Sequence, residues 1–120
     1  MIERIDNLPD HVCGFIARDT ITRQDYVSTV YPEVRRIATQ SKKISYLLIL
    51  QTSLKHYTFQ AWIEDALLGL KYFTRWHKIA IVSQKKSIRN FTNFFGIFIP
   101  GKAKGFMSSE LGEAKKWIFS

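Results

Sequence analysis

Ile44-Ser45-Tyr46-Leu47-Leu48-Ile49-Leu50 is nearly continuous in apolar side chains. A strand that reads this way is buried on both faces, in the middle of a sheet covered by helices. Beyond the loop Gln51–Tyr57, the segment Thr58 to Phe73 changes period. Phe59, Trp62, Ile63, Ala66, Leu67, Leu70 and Phe73 recur at helical spacing and form one wide apolar face over about four turns. Thr58 is placed to cap that helix through its hydroxyl. Glu64 and Asp65 fall on the outer side, and Lys71 and Arg75 lie near the C-terminal end, where the helix dipole favours cations. Lys78-Ile79-Ala80-Ile81-Val82-Ser83 is then a second buried strand. Strand, helix and strand in this order imply a right-handed crossover in a parallel sheet. The helix is expected to lay its apolar face on the two strands.

The rest of the chain extends this unit in both directions. Ile2–Ile5 and Val12–Ala17 form a hairpin about the turn Asn7-Leu8-Pro9-Asp10. Thr22 and Asp25 open a helix with a variant of the capping box. Val30, Val34 and Ile37 continue it, and Pro32 inside it predicts a kink. Lys86–Ile99 reads as a further helix, with Ile88, Phe91, Phe95 and Phe98 on one face and Phe94 and Ile97 beside it, stopped by Pro100-Gly101. Lys102–Met107 alternates as an edge strand. Ser108 or Ser109 caps a last helix that turns Leu111, Ala114, Trp117 and Ile118 inward. The order ββαβαβαβα gives an α/β fold: a central, mainly parallel sheet with an N-terminal hairpin and four helices, in one domain over residues 1–120.

Composition narrows the function classes. With 46% hydrophobic residues the chain is too apolar for disorder. No apolar run approaches the ~20 residues that cross a bilayer, and Met1–Arg18 carries acids where a signal peptide would not, so the expected location is cytoplasmic. Charge is uneven. Residues 1–60 hold eight Lys/Arg against six Asp/Glu, and residues 61–120 hold ten against four. No acid occurs from Ala66 to Ser109. This asymmetry suits an anionic partner or is a plain solvated basic face.

The residues for chemistry are thin. His11, His56 and His77 are scattered and Cys13 is alone, so neither a metal set nor a disulfide is expected; a cysteine in an apolar strand is a small core residue. Adjacent Glu64 and Asp65 point about 100° apart on a helix and do not share a site. Asp65 is expected to make a structural hydrogen bond and Glu64 to be solvated. No glycine-rich phosphate loop is present. The reading is non-enzymatic, with no catalytic residue and no cofactor. Nucleic acid is not the expected partner, because the aromatics fall at core-like periods rather than between arginines.

Helix Lys86–Ile99 stands apart. It carries more phenylalanine than one sheet contact requires, and Lys85, Lys86 and Arg89 crowd its N-terminus, where the dipole disfavours cations. One explanation is an apolar groove with a basic rim between this helix and the Trp62 helix, lined by Trp62, Leu70, Phe91, Phe94 and Phe95. The other is that the phenylalanines are core and Ser87 is the cap. A groove would take a small apolar or anionic, lipid-like amphiphile or a membrane surface; exposed aromatics there would equally make a homodimer.

The opening Met-Ile-Glu with Leu8-Pro9, then Gly14-Phe15, Trp62-Ile63-Glu64-Asp65, Lys78–Ser83 and Glu113-Ala114-Lys115-Lys116-Trp117-Ile118 resemble the SpoIIAA-like family of small bacterial proteins. The resemblance implies a STAS-like fold, also compared with CRAL-TRIO lipid-transfer domains, and a binding or regulatory role with a protein partner. Anti-sigma-factor antagonists of this fold carry a phosphorylated serine after an aspartate, before the second helix. Here that loop is Gln51-Thr52-Ser53-Leu54-Lys55-His56-Tyr57-Thr58, with no Asp-Ser pair. The acceptor candidates under a phosphorylation-responsive alternative are therefore Thr58 and Ser53.

Overall fold

The structure, a computed structural model, describes the backbone of residues 1–120 and every side chain except those of Leu54 and Phe95. Five strands lie in the order β1-β2-β3-β4-β5: Ile2–Arg4, Val12–Ala17, Ile44–Leu50, Trp76–Val82 and Lys102–Phe106. Only the first pair is antiparallel; the other three pairings are parallel. The crossovers are helical, as parallel pairing demands. They are α1 (Arg23–Asp25), a π turn (Tyr26–Val30) and α2 (Tyr31–Gln40) in one run, then α3 (Phe59–Lys71) and α4 (Lys86–Phe95), with α5 (Leu111–Phe119) closing the chain. Counted as continuous segments, these are the four expected helices.

Local chemistry explains the element ends. Thr22 accepts from the Asp25 N–H while the Asp25 carboxylate accepts from the Thr22 N–H at 2.8 Å, so aspartate completes the capping box. Thr58 accepts from the Ala61 N–H at 3.1 Å. Pro32 falls in the first turn of α2, directly after the π turn, so the break in the hydrogen-bond ladder that its missing N–H causes coincides with the change of helix type. Strand β4 begins two residues earlier than expected, at Trp76, and α4 ends at Phe95, short of the expected Ile99.

The two faces of the sheet are covered differently. On one, α5 sets Ala114 and Ile118 on Val12, Leu47, Ala80, Val82 and Phe106, all buried. On the other, the π turn and α2 press Val30, Val34 and Ile37 over β2 and β3. The same face continues through Tyr46 and Leu48 on β3, in register with Ile79 and Ile81 on β4.

The expectation for α3 is overturned here. Its wide apolar face does not lie on the sheet. Phe59, Trp62, Ile63, Leu67, Leu70 and Phe73 are exposed, Leu70 to 71%. The line Ala61, Leu68 and Tyr72 is what is buried. The helix docks on its small residues and leaves the large ones outside. On α4, Ile88 is buried, whereas Phe91, Phe94, Ile97 and Phe98 are exposed. The phenylalanines described there are therefore not core.

Candidate functional site

Helices α3 and α4 keep to opposite sides of the β3–β4 floor, for identifiable reasons. Glycine at 105 lets the backbone of α4 sit against β5: a Cβ there would fall 2.6 Å from Arg89 Cα. Asn93 adds a polar clamp, its Oδ1 accepting from the Gly105 N–H at 2.9 Å. Helix α3 is drawn the other way. Tyr26 on the π turn donates to Asp65 Oδ1 at 2.9 Å, and Tyr31 donates to the Glu64 carbonyl at 3.2 Å. Arg23 approaches Glu64 at 3.5 Å. At its C-terminal end, Trp76 Nε1 donates to the Gly69 carbonyl at 3.1 Å.

A cavity of about 580 Å³ is left between the two helices and the sheet, within the size range of small-molecule sites. Its floor is Tyr46, Leu48, Ile79 and Ile81; α3 contributes Trp62, Asp65, Ala66, Gly69, Leu70 and Phe73, and α4 contributes Ile88, Phe91 and Thr92. Tyr57 stacks on Trp62, with ring centroids 5.0 Å apart, and Trp76 meets Tyr46 edge-on at 5.9 Å. The Thr92 hydroxyl donates to the Ile88 carbonyl at 2.8 Å and so is spent within its helix.

Asp65 is the acid among these side chains. Its side chain is accessible, as a cavity-lining group must be, yet protein surrounds the carboxyl closely. Burial raises its pKa above the ordinary value, and the Tyr26 hydrogen bond only partly offsets this. Burial, then the Asp65 charge, likewise push up the phenols of Tyr26, Tyr46 and Tyr57. Cys13 is a buried core thiol donating to the Ser45 carbonyl at 3.4 Å, and burial pushes its pKa up, away from a reactive thiolate.

Of the residues singled out from sequence, Trp62, Leu70 and Phe91 line the cavity, whereas Phe94 stands exposed against Phe98, with centroids 5.4 Å apart. Phe95 lies outside the described side chains. The basic residues are not in the lining. Lys85 takes the N-cap position and Lys86 is exposed, both at the start of α4, while Arg89 donates to the Ser83 carbonyl at 2.9 Å. Arg75 is a correction as well: it serves the C-terminus of α2, not α3, donating to the carbonyls of Ala38, Ser41 and Lys42 at 2.6 to 2.8 Å. Thr58 is engaged as a cap, and Ser53 accepts from the Lys55 N–H at 3.4 Å. Asp65, Tyr57, Gly69 and Trp76 were not expected as cavity residues. The signal for them was the second, smaller stripe Ala61-Asp65-Leu68-Tyr72, outweighed by larger side chains on the neighbouring face.

A mixed five-stranded sheet with an N-terminal hairpin, helical crossovers and a lone C-terminal helix on one face defines a SpoIIAA-like fold. A solved structure of an uncharacterized protein of the DUF3478 family, with a SpoIIAA-like fold, from Shewanella loihica PV-4 has that architecture: its TM-score is 0.73 at 21% identity, over 98% of this chain and 92% of that one. The sequence model of the SpoIIAA-like family matches residues 12–119, and the chain belongs to that family. No curated protein matches it. Among the described residues no helix is long and apolar enough to cross a membrane.

Proposed function

We propose that this protein is a non-enzymatic binding module that takes a single-chain, lipid-like amphiphile into the cavity between α3 and α4. The observation that supports this most is the open-sided apolar cleft itself. A helix with Phe59, Trp62, Ile63, Leu67 and Leu70 along one side spans a sheet floor without filling it. Water gains little in such a space, whereas an alkyl chain gains roughly 25 cal/mol for each Å² of apolar surface it buries. The exposed side chains at the rim, Leu70 and Phe91 among them, give such a chain an apolar path from a membrane or carrier.

Gly69 provides the test. It lines the cavity, and a Cβ placed there meets nothing within 4 Å. Gly69→Leu therefore starts into open space at its Cβ and is placed to reduce the cavity volume, and in the last turn of α3 it should also gain up to about 0.5–1 kcal/mol of helix propensity. Native mass spectrometry of protein purified from its own cells is expected to show an added non-covalent mass of lipid size. Gly69→Leu should lose that mass while melting at the same or a higher temperature. Native protein that carries no such mass and takes up no alkyl-chain probe in titration would sink this reading.

A further inference from the structure

The cavity is apolar, but its electrostatics have a sign. Its described lining includes one carboxyl group, Asp65, and no lysine, arginine or histidine. The net charge of +8 is thus carried elsewhere, on the outer surface. Among the described residues, ion pairs engage Glu3, Asp6, Asp25, Glu33 and Glu64, but not Asp65. Tyr26 occupies Oδ1 of Asp65, and among the described residues nothing donates to Oδ2. The Asp65 carboxyl is accessible from the cavity, so a donor brought by a ligand can take the open acceptor where the surrounding apolar wall offers no competing partner.

We infer that the cavity selects an amphiphile whose polar end is a hydrogen-bond donor without negative charge, a hydroxyl or an amine, seated on Asp65 with the alkyl chain running over Leu48 and Ile81 toward α4. This rests on the amphiphile reading above and sets its head group. It also reverses the anionic preference that the basic surface suggests. A carboxylate head would meet Asp65 as a like charge with no cation to share, whereas an alcohol or an ammonium donates to Oδ2. Tyr46 and Tyr57, whose phenols feel the Asp65 charge, border the same spot.

The experiment is a tryptophan-fluorescence titration, reporting from Trp62 and Trp76 in the cavity wall, with dodecanol, dodecylamine and laurate below their micelle concentrations. The worth of a charge-assisted hydrogen bond sets the scale, so at least one donor-headed probe should bind about tenfold or more tightly than laurate. The positive surface favours laurate non-specifically, which makes the opposite order diagnostic. Asp65→Asn offers an amide donor in place of the acid and should shift the preference toward laurate. Laurate binding as well as or better than both other probes would overturn the inference and leave the cavity reading intact, as would an unchanged order in a folded Asp65→Asn. Failure of all three probes to bind would overturn both. The ranking on the native protein stands as a test even where the variant does not fold.

Discussion

Helices α3 and α5 are alike as sequences: each is amphipathic, short, and rich in Leu, Ile, Trp and Ala. They meet the sheet in opposite ways. Helix α5 presents Ala114 and Ile118, and both vanish into the sheet face around Leu47 and Ala80. Helix α3 hangs on Ala61, Leu68 and Tyr72 and holds its larger side chains over a void and toward solvent. The difference teaches that an apolar stripe states what a helix can bury, not what it does bury. The partners around it decide. Polar fixings to Tyr26, Tyr31 and Trp76 rotate and hold α3, and a glycine on β5 draws α4 away from it.

The strongest test of that contrast is truncation on the two sides. Ile118→Ala should cost about 2–5 kcal/mol in denaturant unfolding, as buried large-to-small changes do. Leu70→Ala should stay within about 0.5 kcal/mol, as an exposed substitution. Comparable losses at both positions would mean that α3 is packed as firmly as α5, and the contrast would fail. Gly105→Ala addresses the cause of the gap. The new methyl group collides with the Arg89 backbone and should cost about 1–3 kcal/mol by overpacking. Unchanged stability would show that β5 and α4 are not held in this close approach.

The smallest effect is a pH dependence. Folded Asp65 keeps its proton to higher pH than the unfolded chain, where the ordinary value is 3.8. Between those two values the native state binds more protons, so this group's contribution to stability is full below 3.8 and falls as pH rises through the folded value. Its surroundings, Tyr26, Tyr46 and Tyr57, remain neutral across that window, their phenols all being pushed up. Thermal melts should therefore show Asp65→Asn gaining on the native protein as pH is raised from about 4 toward neutrality, through the raised folded value. A difference that does not change with pH would place the carboxylate in water rather than in the cavity wall.

Much of the fold was legible because its signals are strong and local. The run Ile44–Leu50 is apolar at nearly every position, and burial on both faces is its plain consequence. Thr22 and Thr58 have hydroxyls, and Asp25 a carboxylate, where free N–H groups need them. The site was legible only in outline. Trp62, Leu70 and Phe91 were reachable as surplus aromatic and aliphatic surface, but Asp65 was read as a structural hydrogen-bonding group. That reading holds, since Tyr26 donates to Oδ1, but the place of Asp65 in the cavity lining was not read from the sequence. The Tyr26 contact spans 39 residues and depends on a π turn, which no periodicity announces.

Gly69 carries one more consequence. A glycine in the last turn of a helix forgoes up to about 1 kcal/mol of propensity relative to alanine, and here nothing lies within 4 Å of where a Cβ would stand. Stability has been given up for empty room. Position 69 is thus a gauge: stepping it from glycine through alanine and valine to leucine would shorten the space in increments while every hydrogen bond of α3 stays in place. Chain-length discrimination in such a scaffold can be reset one residue at a time, with each shorter reach coming in a sturdier protein.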